Sequence, residues 1–201
     1  MDTPEIAKRT GARVYGDANT CQILQVYSIS SKQINQISYG DKLTVGNFKV
    51  TVIPAHHPWI PCFASGALKK NLRPPLRLSD FHMDSCFSFL ITVRNLRILI
   101  WSSTKTDHAV PAEVLFLRAV ASLPWYKEIL TLVKPRLVIP THWDNAFRPL
   151  SKAIRPFLAP PKLAFPALQQ IDLNNFEQKI KQADPRCKVL IPEVFKPYAL
   201  I

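Results

Sequence analysis

Prolines divide this chain into short segments and so limit what it can fold into. The sequence contains 18 prolines and only five glycines, and prolines stand at most of the predicted segment boundaries. Proline has no backbone N–H and a fixed φ, so it interrupts both helices and strands. Short helical patterns therefore alternate with short extended patterns along the chain.

The extended segments that come first are predicted to form two hairpins. Apolar and polar side chains alternate over residues 48–52, which is typical of a strand with one buried face. The dipeptide Gly-Asn at 46–47 precedes that strand and predicts a hairpin turn. A second hairpin is predicted around Asn95, between extended runs at 85–93 and 97–101.

Strand and helix patterns alternate in the second half of the chain. Across the whole sequence, helices are predicted over 4–9, 18–29, 123–133, 149–158 and 176–182, and further strands over 12–15, 114–117, 136–139 and 188–191. Residues 56–80 are rich in Pro, Lys and Arg and are predicted to be irregular. Hairpins followed by strand–helix–strand alternation predict a mixed sheet covered by helices, with a site at one rim of the sheet.

The composition excludes several classes of protein. Hydrophobic residues make up 47% of the sequence and charged residues 20%, a balance that excludes disorder of the whole chain. No apolar run approaches the roughly 18–20 residues of a membrane span. The first residues lack the pattern of a signal peptide. We therefore expect a cytoplasmic protein without a membrane partner.

The four cysteines do not form a metal or redox motif. Cys21, Cys62, Cys86 and Cys187 are all far apart, and none belongs to a Cys-x-x-Cys sequence. In a cytosolic protein this spacing is typical of buried thiols.

A net charge of +12 indicates an attraction for anions. The densest basic group is Lys69, Lys70, Arg73 and Arg77. Candidate partners are nucleic acid, an acidic membrane, or a small molecule with a phosphate or carboxylate group, and a basic surface that only aids solubility is an equal alternative. Aromatic residues are not interleaved with these cations, as they are in proteins that bind single strands.

Three of the five histidines lie just past the ends of predicted strands. His56 and His57 come after the strand of the first hairpin, and His142 follows the strand at 136–139, with Trp143 and Asp144 next in sequence. Imidazole is the commonest metal ligand near neutral pH, and hydrolytic zinc sites use His and carboxylate ligands. A histidine taken alone is more often a surface residue or a hydrogen-bonded core residue than a metal ligand.

Three segments around these residues resemble a known family. Residues 52–57 read Val-Ile-Pro-Ala-His-His, residues 138–150 read Val-Ile-Pro-Thr-His-Trp-Asp-Asn-Ala-Phe-Arg-Pro-Leu, and residues 2–12 form a helix pattern. All three are similar to segments of metallo-β-lactamase-fold hydrolases of the sugar-lactonase-like branch. The resemblance covers residues 2 to about 158. It implies an αββα sandwich, of the α/β (α+β) class, in which residues 1–201 form a single domain equivalent to the C-terminal two thirds of the fold.

The chain departs from the family pattern at two places. The family motif His-x-His-x-Asp-His is absent, since no histidine precedes His56, so we expect an N-terminally truncated and incomplete fold. By the same resemblance, residues 97–104 correspond to the strand that leads to the family's bridging Asp. Ser103 stands at the position of that Asp. A serine hydroxyl binds zinc poorly and does not bridge two cations. We therefore expect one metal ion at most, zinc first, with iron or manganese as alternatives.

The resemblance assigns roles to residues at the two strand ends. It implies His57 and His142 as metal ligands and Asp144 as a catalytic residue that either ligates the metal or orients a histidine ring. A helix N-cap is the alternative role for Asp144. Trp143 and Ser103 are predicted to contact substrate. Asp107 and His108 lie in the loop after Ser103, where we predict a capping or surface role for them, with an approach to the site as the less favoured alternative.

The function that the resemblance implies is metal-dependent hydrolysis of a small ester, lactone or phosphate. In the family, zinc activates a water molecule that attacks such a centre. We expect impaired activity here because the first metal motif is absent. One alternative is a non-catalytic remnant or binding protein, whose uncovered apolar sheet face needs a second copy or a partner. A further alternative is a nucleic-acid-processing member of the fold, although the motifs are those of small-molecule hydrolases. For the hydrolase we expect a small anionic substrate, bound in part by the four cations of residues 69–77.

Overall fold

A large mixed sheet forms the centre of the molecule. The computed structural model describes residues 3–57, 64–69, 71–144, 155–159, 169–193 and 195–200. The helices are α1 (Thr3–Thr10), α2 (Ala18–Val26), α3 (Leu123–Val133) and α4 (Leu173–Ala183), with 3-10 turns at Ser31–Gln33 and Leu78–Asp80. The strands are β1 (Val14–Gly16), β2 (Ile34–Gln36), β3 (Lys42–Val45), β4 (Phe48–Pro54), β5 (Ala64–Ser65), β6 (His82–Met83), β7 (Phe87–Val93), β8 (Leu96–Trp101), β9 (Val114–Arg118), β10 (Leu137–Thr141), β11 (Leu158–Ala159), β12 (Gln169–Gln170) and β13 (Lys188–Val189).

Seven of these strands form the main sheet, in the order β13-β10-β9-β8-β7-β4-β3. Strands β3, β4, β7 and β8 pair antiparallel, whereas β8, β9, β10 and β13 pair parallel. Because β7 runs against both of its neighbours, β4 is parallel to β8. The carboxyl ends of β4, β8, β9 and β10 therefore meet at one rim, where open mixed sheets carry their sites.

Helices α3 and α4 cover one face of the sheet and enclose the main core. Their inward side chains, chiefly Tyr126, Ile129, Val133, Phe176 and Ile180, pack with the sheet residues Leu99, Leu115, Leu117 and Val138. The Tyr126 and Phe176 rings meet edge to face, with their centroids 5.7 Å apart. This packing fixes the carboxyl ends of β8 and β9 against α3.

The opposite face of the sheet is also apolar. Cross-strand pairing places Val50, Phe89, Ile91, Ile98, Ile100 and Phe116 on this face. These six side chains are partly exposed, whereas Val52 and Val114 on the same face are fully buried. That a second copy or a partner covers this face stays a prediction.

Most of the predicted elements are confirmed. Both hairpins are present, and α3 covers the predicted residues 123–133. The helix predicted over 18–29 ends at Val26, because Ser28 adopts a left-handed backbone with φ 60°. The helix predicted over 149–158 is wrong for residues 155–158, since Pro156 forms a β-bridge and strand β11 follows it. Residues 145–154 lie outside the described part of the chain.

The irregular stretch predicted over 56–80 needs a smaller correction. Its described part contains the short strand β5, which pairs with β6, and a 3-10 turn at Leu78–Asp80. Cys21 and Cys187 are buried free thiols, as predicted, and Cys86 is a partly buried free thiol. Cys62 lies outside the described residues. No helix in the described part of the chain is long and apolar enough to cross a membrane.

Candidate metal centre

Two histidines and one aspartate meet at the rim formed by the carboxyl ends of the strands. His56 follows β4 by two residues, while Asp107 and His108 lie in the loop after β8. The Nε2 atom of His56 lies 3.2 Å from Oδ2 of Asp107, and Nε2 of His108 lies 3.8 Å from the same oxygen. The two imidazole rings are nearly parallel, with centroids 6.3 Å apart.

This arrangement fits the donor set of a divalent metal ion. One ligand atom from each of the three residues lies within 4.8 Å of the other two. Zinc ligands lie about 2.0–2.2 Å from the ion, so neighbouring ligands of a tetrahedral site are about 3.4 Å apart. The two measured separations bracket that value. Two imidazoles with one carboxylate form a set that suits zinc or iron.

The three side chains remain open to solvent. His56 is 40% exposed, Asp107 46% and His108 47%. A catalytic metal site needs three protein ligands and an open position for water or substrate. The exposure of this cluster leaves room for that position, whereas a closed structural site would be buried.

Backbone hydrogen bonds fasten His56 to the loop after β8. The fully buried Oγ of Ser103 accepts hydrogen bonds from the amides of His56, at 3.0 Å, and Lys105, at 3.1 Å. Thr104 donates twice to the His56 carbonyl oxygen, from its amide at 2.7 Å and from its hydroxyl at 3.0 Å. These four bonds hold the end of β4 and the loop of Asp107 in one position.

Helix α3 supports the same loop from behind. The indole nitrogen of Trp125 donates to the Thr104 carbonyl oxygen at 2.8 Å. The buried hydroxyl of Thr106 donates to the Glu128 carboxylate. The loop that carries Asp107 and His108 is thus attached to both β4 and α3.

A partly buried arginine lies at the end of the neighbouring strand. The guanidinium carbon of Arg118, the last residue of β9, is 4.5 Å from the centroid of the Trp125 ring. Its Nε atom is buried without a hydrogen-bond partner, and within the described part of the chain Arg118 forms no ion pair. Burial lowers the pKa of Arg118, and its interaction with Tyr126 offsets part of that effect.

Comparison with known proteins shows which fold this is. No protein-family model and no curated protein sequence matches the chain. The crystal structure of YhfI, a metallo-β-lactamase-fold protein from Bacillus subtilis, matches 94% of the chain with a TM-score of 0.54 and 13% sequence identity. The chain has the metallo-β-lactamase fold. The match covers 66% of the length of YhfI. The structure of CmlA, a diiron β-hydroxylase from Streptomyces venezuelae, matches 62% of this chain over 27% of the CmlA chain. Its TM-score is 0.39 and its sequence identity is 12%.

The metallo-β-lactamase fold predicted from the sequence is therefore confirmed. The sugar-lactonase-like branch stays a prediction, and the described structure does not bring the predicted ligands together in one cluster. His57 is exposed, and its backbone contacts the Cys86 thiol. His142 is exposed too and has a left-handed backbone with φ 55°. The described residues contain one group of three metal-binding side chains, and it includes neither of these histidines. Their assignment as ligands stays a prediction.

The other predicted site residues also occupy defined positions. Asp144 is exposed and forms a backbone bridge with Pro156, while Trp143 packs against the main core. Ser103 uses its hydroxyl to accept two backbone hydrogen bonds, so its contact with substrate stays a prediction.

Sequence reasoning favoured a surface or capping role for Asp107 and His108 over an approach to the site, and the structure places both close to His56. An Asp-His pair shortly after a strand that ends at the same rim is the signal that would have identified them.

Proposed function

We propose that this metallo-β-lactamase-fold chain is a metal-dependent hydrolase that binds one divalent ion through His56, Asp107 and His108. The observation that carries the proposal is the spacing of the three ligand atoms at the sheet rim, within 4.8 Å of one another. Zinc is the first candidate, followed by iron and manganese. When bound, the ion supplies Lewis acidity and a nucleophile from water near neutral pH.

The remaining residues of the rim hold and orient this centre. Ser103 and Thr104 keep His56 opposite Asp107, and the Asp107 carboxylate reduces the positive charge of the site. The substrate class is a small ester, lactone or phosphate in the cytoplasm, and the net charge of +12 favours an anionic one. We expect weak turnover, because a single ion with three exposed ligands lacks the second metal that assists many hydrolases of phosphate esters.

Metal binding tests the proposal and distinguishes two ligand sets. The purified chain is loaded with zinc, iron or manganese, and metal content is measured by elemental mass spectrometry. We expect about one ion per chain, lost in His56→Ala with His108→Ala and retained in His82→Ala, whose ring nitrogen contacts the Ala67 carbonyl oxygen. A folded chain that binds no metal would refute the proposal.

A second pair of variants tests the ligands predicted from the sequence. The double variant His57→Ala with His142→Ala is measured in the same way. If it loses the metal while the double variant His56→Ala with His108→Ala retains it, the ion is assigned to His57 and His142 instead. Hydrolysis of nitrophenyl acetate, a simple lactone and a nitrophenyl phosphodiester is then measured. We expect slow turnover of at least one substrate, abolished by a chelator and by Asp107→Asn. Turnover that survives chelation would contradict a metal mechanism.

A further inference from the structure

Arg118 carries a positive charge that the described structure does not neutralise. The guanidinium group stays protonated in proteins and has five N–H donors, so burial without an anion is costly. The Trp125 ring covers one face of the guanidinium at 4.5 Å, which compensates part of that cost. Among the described residues the buried Nε–H has no acceptor, and the cation–π contact with Trp125 does not supply one. The Nε–H of Arg118 is thus a donor that lacks an acceptor within the described part of the chain.

The position of Arg118 links it to the metal centre. Strand β9 lies directly beside β8 in the sheet, and both strands end at the rim that carries His56 and Asp107. The Trp125 indole that stacks on Arg118 also donates to Thr104, which in turn donates to His56. Trp125 is the third residue of α3, and the partial positive charge at a helix start adds to that of Arg118. The surroundings of Arg118 therefore favour an anion.

We propose that Arg118, held flat by Trp125, binds an oxyanion of the substrate, either a carboxylate or a phosphate group. This inference rests on the proposed hydrolase function and narrows its substrate to molecules that carry such a group. A planar guanidinium fork recognises both groups by paired hydrogen bonds, which a lysine does not reproduce. The cations of the 69–77 loop are a weaker choice, since Lys69, Arg73 and Arg77 are exposed and screened by solvent.

Anion binding to metal-free protein tests the inference separately from the proposed function. Inorganic phosphate and acetate are titrated in turn, and the Arg118 Nε–H and Trp125 indole N–H resonances are followed by NMR. We expect both resonances to shift with saturation, and the anion that binds more tightly identifies the group. Absence of any shift would overturn the inference even if metal binds to His56, Asp107 and His108.

Variants with matched charge changes provide the second readout. In Arg118→Gln the dissociation constant for the tighter anion is expected to rise about tenfold or more, the usual effect of losing a charge-assisted hydrogen bond. Arg118→Lys, which keeps the charge and the fold but loses the fork, is expected to be intermediate. The control Arg136→Gln removes an exposed charge at the start of the neighbouring strand β10 and leaves binding unchanged.

Three results would contradict the assignment of the anion to Arg118. One is equal weakening by Arg118→Gln and Arg136→Gln, which would indicate general electrostatic attraction to a basic protein. Another is wild-type affinity in both Arg118 variants. The third is loss of binding in Arg73→Gln with Arg77→Gln alone, which would place the anion on the 69–77 loop.

Discussion

Replacement of Ser103 by alanine tests how the candidate metal centre is held together. The Ser103 side chain is fully buried, and its hydroxyl accepts the amide hydrogens of His56 and Lys105. Alanine keeps the backbone and nearly the same volume but removes this acceptor. Two backbone N–H groups, one of them in the His56 segment, then lose their partner.

The expected size of the effect follows from those two bonds. An unsatisfied buried donor costs about 1–3 kcal/mol, and partial access of water to the exposed Lys105 side lowers the combined cost to about 2–4 kcal/mol. For a chain of this size such a loss lowers the melting temperature by roughly 5–15 °C. Since His56 also loses its anchor to the loop of Asp107, we expect metal affinity to fall about 10- to 100-fold, as for other residues that position metal ligands.

Chemical denaturation gives the stability change, and calorimetric titration with zinc gives the affinity change. Ser102→Ala is the matched control, because the exposed Ser102 hydroxyl donates to the Phe87 carbonyl oxygen in β7 and does not contact the His56 segment. A Ser103→Ala protein with the stability of Ser102→Ala and unchanged zinc affinity would refute the anchoring role of Ser103.

Two further predictions concern the core and a buried thiol. Phe176→Ala is expected to destabilise the fold by about 3–5 kcal/mol, because Phe176 is 1% exposed and its ring contacts Tyr126. The control Leu132→Ala, on the exposed side of α3, should cost less than about 1 kcal/mol. The denaturation midpoints of the two variants measure both effects. Burial raises the pKa of Cys187 from its ordinary value of 9.0 to about 11. The thiol of the unfolded chain therefore ionises at a lower pH than the thiol of the folded chain. The stability that the neutral thiol contributes is complete below pH 9 and is lost as the pH rises toward 11. Denaturation between pH 8 and 11 should show this loss in the wild type and a smaller one in Cys187→Ala; identical pH profiles would contradict it.

Local patterns predicted the elements of the fold well. The Gly46 turn has the positive φ of 57° that its hairpin requires, and the apolar residues of α3 recur at helical spacing after Pro124. Strands β5, β6, β11 and β12 were not predicted, since each has two residues and no periodicity can be measured over that length. Their formation depends on a partner that is distant in the sequence.

Adjacent histidines give the same local signal, so the sequence alone does not show which of His56 and His57 lies beside Asp107. Side chains that follow a strand alternate in direction, so His56 and His57 cannot both face the loop of Asp107. The choice depends on two hydrogen bonds of the His56 backbone, whose amide donates to Ser103 and whose carbonyl oxygen accepts from Thr104, 47 and 48 residues away. Motif position alone therefore favoured His57, while long-range pairing of β4 with the loop after β8 brings His56 to the cluster.

The charges at this rim connect the metal centre with Arg118. In the proposed site, metal-bound His56 and His108 are neutral and Asp107 is the one negative ligand of the three, so a bound divalent ion would keep an excess positive charge. Arg118 adds a second positive charge at the same rim, and the start of α3 adds a partial one. Such a rim attracts anionic molecules more strongly than neutral ones, and added salt weakens that preference. A KM that rises with ionic strength for an anionic ester, and stays constant for its neutral analogue, is therefore the kinetic behaviour that this arrangement of charges requires.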